Sequence, residues 1–269
     1  MLEVLGYEFF RNALIAGALA SVACGIIGTY VVVRRMVSVS GGISHAAFGG
    51  IGLGYYLGID PLLGATGFTV ATALGMGALE LRARQKMDTL IGAVWAAGMA
   101  IGILFVYLTP GFAPDLFSYL FGNILLVPQG DILLMAVLVT IIVAVVALLY
   151  RELQAVTFDP DYATVMNLPV ERLSLLLLVL IALTVVMLIR VVGIILVIAL
   201  LTLPAAISRL YTTRIWSMML LAVVLGIVFT VTGIGLSYLI DVPSGATIIL
   251  VSTVAYAGAL GIERLRQGD

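Results

Sequence analysis

The stretch LLLLVLIALTVVML (175–188) carries no charge and shows no alternation of apolar with polar residues. A water-exposed strand would alternate with a period of two, and a surface helix would leave one polar face. Neither pattern is present, so this segment is apolar on all sides, as a helix in lipid must be. About 20 such residues cross the hydrocarbon core as a helix. Comparable runs recur along the chain, roughly at 12–33, 45–59, 61–81, 89–109, 131–150, 173–190, 193–208, 215–239 and 246–262. The second and seventh are short, and the second is rich in glycine, so a broken or re-entrant course fits either.

Backbone groups in lipid must be paired within their own segment or in a closed barrel. A barrel needs alternating strands of about ten residues, which the runs lack. The expected fold is therefore an all-α integral membrane protein with about nine (eight to nine) transmembrane helices, organised as a single transmembrane domain over 1–269. Composition agrees. The 269 residues are 63% hydrophobic and 10% charged, whereas a soluble domain is roughly half apolar and a quarter charged. The few charges sit in short loops, which leaves no basic surface for nucleic acid.

Basic residues orient the spans. With nine crossings and the N-terminus outside, the inner loops and tail hold Arg34, Arg35, Arg82, Arg84, Lys86, Arg151, Arg172, Arg209, Arg214, Arg264 and Arg266, while only Arg11 and Arg190 fall outside. That asymmetry follows the positive-inside rule and places the C-terminus in the cytoplasm. The start, MLEVLGYEFFRN, lacks a basic leader, so the first apolar run is expected to remain in the mature protein. Cys24, the one cysteine, lies within that run and reads as a small core residue.

Two connections are long. TPGFAPDLFSYLFGNILLVPQGD (109–131), on the outer side, mixes prolines with aromatics and is expected at the interface. RELQAVTFDPDYATVMNLPVERL (151–173), on the inner side, carries the richest polar chemistry. Asp159 suits an N-cap, Pro160 suits the first helical position and Asp161 suits the positive helix end. Leu168-Pro169 stops the helix. A helix of about two turns, near 158–168, should project from the cytoplasmic face. It is either a solvated turn or a docking element, since Phe158, Tyr162, Val165 and Met166 are apolar and need cover.

Several chemistries are excluded. Lys86 is the only lysine and lies between Gln85 and Met87, so no phosphate-binding Gly-Lys-Ser/Thr loop exists. Any ATPase that drives this chain is a separate subunit. One histidine rules out a paired-histidine zinc peptidase. Ser40 and Ser44, five and one residues before His45, are poorly placed on a helix to act with it as nucleophile and base. No enzyme active site is expected.

His45 stands in SGGISHAAFGGIGLG (40–54). An ionisable residue within a span points to function, and neutral imidazole suits zinc, iron or copper; a hydrogen-bonded packing role is the alternative. Ala46, Gly50, Gly54 and Gly58 recur every four residues, a small-residue face for close helix contact. His45, Gly49 and Gly52 form an adjoining stripe.

Read in order, VVRRMVSVSGGISHAAFGGIGLG, DTLIGAVWAAGMAIGI, DLFSYLFGNILLV, TFDPDYATVMNLPVERL, VGIILVIALLTLPAAISRL and TGIGLSYLIDVPSGATIILV resemble the permease subunits of metal-importing ATP-binding-cassette transporters, the zinc, manganese and iron group. The resemblance covers nearly the whole chain. It implies a homodimer in a prokaryotic cell membrane, a cytoplasmic ATPase dimer that uses the ATP, an extracytoplasmic metal-binding protein and a transported divalent metal, with no permanently bound cofactor. It also implies that Phe158, Asp159, Pro160, Asp161, Tyr162, Val165 and Met166 form a coupling helix against the ATPase, and it favours His45 as a ligand in the metal pathway. Many members carry an acidic residue four positions before that histidine; here the position is Gly41. A permease of the same architecture for a metal chelate or vitamin-like cofactor is the alternative, and a non-transporting membrane scaffold is a further one.

Overall fold

The computed structural model describes residues 7–83, 87–110, 119–120, 122 and 124–267. Among them every regular element is helical: α1 (Glu8–Val33), α2 (Val37–Leu57), α3 (Pro61–Ala83), α4 (Met87–Leu108), a 3-10 turn (Ile124–Leu126), α5 (Gln129–Leu148), α6 (Tyr150–Phe158), α7 (Pro160–Val165), α8 (Val170–Val192), α9 (Ile194–Tyr211), α10 (Ile215–Ile240) and α11 (Ser244–Gln267). Eight of these are long and apolar enough to cross a membrane. The remaining long helix, α2, has 21 residues, or about 31 Å at 1.5 Å per residue. Its glycines, serines and His45 leave it without a stretch apolar enough to count as a span, yet most of its residues are buried. Protein rather than lipid surrounds it, so it needs no fully apolar surface.

The helices gather into two packed units, residues 1–33, 117–144 and 187–269 in one and 34–116 and 145–186 in the other. In the first, α1 packs against α9 and α10, and α11 against both of these. Small residues every fourth position along α1 make this possible. A side chain at Gly17 would collide with Thr230, and one at Gly25 would fall 2.7 Å from the Val223 backbone nitrogen. Between them, Ser21 donates to the Gly17 carbonyl at 2.7 Å and reaches the Thr230 hydroxyl at 3.4 Å. Gly17, Ser21 and Gly25 thus form a second small-residue stripe, in plain register but not expected above. On another face, Gly28 lies directly on the Leu201 carbonyl of α9. Pro204 does not break α9, which runs continuously past it. At the end of α1, Arg209 donates to the Val32 carbonyl at 3.1 Å, satisfying one of the carbonyls a helix end leaves free. The interfacial course expected for 109–131 rests largely on residues outside those described. Within it Gly122 has φ 61° and sits against the Val192 and Gly193 backbone, and Ile124 is buried.

In the second unit α2 is sandwiched by α3 and α4. Hydroxyls inside the bundle bond to their own helices: Ser40 to the Val37 carbonyl, Ser44 to that of Ser40 and Thr69 to that of Ala65. Each of these hydroxyls is thereby satisfied without water.

Three expectations need correction. The second span begins at Val37 rather than at 45, so His45 lies more than two turns inside a helix instead of near its end. Gly58 lies outside the helix. It is the C-cap, with φ 68°, and Ile59 and Gly58 donate to the Gly54 and Tyr55 carbonyls at 3.0 and 3.2 Å in a Schellman arrangement. Nothing stands within 4 Å of where its side chain would be, so conformation, not packing, calls for glycine there. Lastly, the long inner connection contains two helices, not one: α6 was not expected, and α7, at six residues close to the two turns expected, covers only Pro160–Val165 of the 158–168 range.

Candidate functional site

Two places in the second unit carry the expected chemistry. The first is built on α2. Ala46 faces α4, where a side chain at Gly98 would fall 2.5 Å from its Cα. Gly50 and Gly54 instead face α3: a Cβ on Gly50 would lie 2.6 Å from the Ala65 Cα, and one on Gly54 would lie 2.7 Å from the Pro61 Cα. The four-residue repeat thus serves two neighbours, since positions four apart drift around a helix of 3.6 residues per turn. Gly52 rests on Gly102 of α4. These approaches leave α2 and α4 nearly backbone to backbone, with His45 on the same side.

The His45 ring is half-buried and lies on the indole of Trp95, with centroids 4.0 Å apart and planes at 12°. Its Nδ1 is buried without a hydrogen-bond partner. The serines beside it donate to backbone carbonyls of their own helix rather than to the imidazole. Among the described residues no three of His, Cys, Asp and Glu come together. Position 41, one turn before His45, supplies no carboxylate because it is glycine. Trp95 carries no signal in the sequence. It stands well inside α4 and reads as one more apolar residue of a span until α4 is known to pair with α2.

The second place is the projection formed by α6 and α7. Leu153, Val156 and Ala163 are buried and anchor it. Asp159 caps α7, its carboxylate accepting from the Tyr162 backbone N–H at 2.9 Å, and Pro160 holds the first helical position. At the other end Asn167 takes φ 58°, and Leu168 and Asn167 donate to the Ala163 and Thr164 carbonyls, each at 3.0 Å. Both ends of a six-residue helix are therefore closed by local bonds, which such a short helix needs. Phe158, Tyr162 and Met166 are each 57% exposed and Val165 78%; Asp161 is exposed beside them. Next to this projection lies a cavity of about 450 Å³, lined among others by Arg34, Glu80, Asp88, Pro160 and Ser174. Arg34 donates to the Ser174 hydroxyl at 3.3 Å. Burial pushes its guanidinium below the ordinary range, and the Glu80 charge opposes that shift.

Residues 6–262 match the ABC 3 transport family. The chain belongs to that family. A membrane protein of Synechocystis sp. is 51% identical to this member over 98% of this chain and 94% of its own length. The manganese transport system membrane protein MntC of Listeria monocytogenes is 35% identical over 94% and 90%. Among solved structures, PsaBC from Streptococcus pneumoniae in complex with Fab aligns with a TM-score of 0.86 at 30% identity, covering 96% of this chain and 93% of that one. The resemblance to metal-importing permeases holds, and the chain is a multi-pass protein of a prokaryotic cell membrane.

Proposed function

We propose that this chain is the permease subunit of an ATP-driven importer of a divalent first-row metal, working as a homodimer by alternating access. The observation that carries the reading is the full-length similarity to manganese transport permeases. Manganese, the metal in those relatives' names, is the leading cargo within the zinc, manganese and iron group. In this reading the N-terminus is outside and the C-terminus cytoplasmic, an extracytoplasmic binding protein delivers the ion, and His45 contacts it in the pathway. Two ATPase subunits dock on the exposed apolar edge of α7. Because α7 is capped at both ends and joined closely to α6 and α8, a push on it is passed to those helices rather than absorbed by local unfolding.

The test is reconstitution. The purified permease should recover an ATPase at physiological salt, and deletion of 158–167 should abolish that recovery. In proteoliposomes with the ATPase, His45→Ala should abolish manganese-stimulated hydrolysis and His45→Gln should not restore it. An ATPase that still binds after the deletion refutes the docking assignment, and equal activity of wild type and both His45 variants refutes the ligand role.

A further inference from the structure

The pairing of His45 with Trp95 has a geometry that helix packing alone does not require. The indole of α4 lies flat on the imidazole, centroids 4.0 Å apart. The same ring covers position 41. A Cβ on Gly41 would meet the Trp95 Cζ3 at 3.8 Å, an ordinary contact, and nothing else within 4 Å. Positions 41 and 45 are one helical turn apart and share a face, so a single indole roofs both. Trp95 is itself 41% exposed, and the His45 Nδ1 has no hydrogen-bond partner to hold the ring.

We propose that Trp95 is a positioning residue for the transported cation: its π face holds the His45 imidazole flat and stabilises that ring when it carries a divalent metal, where α2 offers no carboxylate. The proposal rests on the reading of His45 as a pathway ligand. A metal ion bound to imidazole draws positive charge into the ring, and a cationic ring over an indole face is attracted by its quadrupole, tryptophan being the best of the aromatic faces. A carboxylate at position 41 would attract the ion by full charge and over a longer range. The indole gives a smaller, short-range gain, which suits an ion that must be held briefly and passed on.

The experiment uses the full chain in lipid nanodiscs with Mn2+ as the probe. Trp216→Phe leaves Trp95 as the single tryptophan, and its emission should fall saturably as Mn2+ is added. His45→Ala should remove that response. Trp95→Leu should weaken Mn2+ binding, measured by equilibrium dialysis, by about 3- to 30-fold, and Trp95→Phe should recover part of the loss. Adding Gly41→Asp to Trp95→Leu should restore binding by supplying the carboxylate. Unchanged affinity in Trp95→Leu, with binding lost in His45→Ala, overturns the role of Trp95 and leaves the His45 reading standing. Unchanged Mn2+ binding in His45→Ala overturns the His45 reading itself. Trp95→Phe binding as weakly as Trp95→Leu would refute a role for the aromatic face.

Discussion

Replacing Gly50 by alanine adds one methyl group where α2 meets α3. The new carbon would lie 2.6 Å from the Ala65 Cα and 2.7 Å from the Phe68 Cβ, and against the Gly64 carbonyl oxygen. Carbon atoms pack best at about 3.5–4.0 Å, so the helices must separate by close to 1 Å. Two of the three obstacles belong to the α3 backbone or its Cα, which cannot rotate away. Overpacking of this kind costs about 1–3 kcal/mol. For a chain of this size about 2 kcal/mol lowers the midpoint by ~4–8 °C. Gly67 of α3 is the control, because nothing lies within 4 Å of its Cβ position. There alanine should stabilise the helix by about 0.5–1 kcal/mol. The midpoints of the two variants, measured by thermal unfolding in the same detergent with a thiol-reactive dye reporting exposure of buried Cys24, should therefore move in opposite directions. A Gly50→Ala protein as stable as wild type would refute the claim that this contact sets the helix separation.

Other substitutions test separate parts of the argument. Gly58→Ala meets no neighbour but must hold φ 68°, so it should cost about 1–2 kcal/mol, with Gly58→Asn milder in the same melting assay. Asp159→Ala removes the α7 cap and should weaken ATPase binding, read by titration on immobilised permease, through about 1 kcal/mol of lost local order. Tyr162→Ala should weaken the same interaction by about 5- to 10-fold, in line with the burial of a half-exposed aromatic side chain. Arg34→Met breaks the bond to Ser174 and should reduce metal-stimulated ATP hydrolysis while leaving the basal rate in place.

The spans were legible because lipid leaves a simple mark: long uncharged runs without alternation. The Asp159-Pro160 start of α7 was legible for a similar reason, since capping chemistry is local. What escaped depended on partners distant in sequence. The start of α2 at Val37 was hidden because serines and glycines are poor evidence of a membrane helix until neighbours are known to cover them. The division of Ala46, Gly50 and Gly54 between α4 and α3 follows from how two other helices lie against α2. Trp95 gains its meaning only when His45 is placed against it, and α6 was masked by the polar residues that give it a wet side.

The modest hydropathy of α2 bears on how the chain is made. A helix with so many glycines and serines and a histidine gains little by leaving the insertion channel on its own, so its entry into the bilayer depends on α3 and α4 arriving to enclose it. A nascent chain ended after Leu57 should remain accessible to protease on membranes, whereas one extended through Leu108 should be protected. Assembly of this unit should then be a concerted event in biogenesis, and variants that loosen the glycine contacts should be caught by membrane quality control before transport is ever attempted.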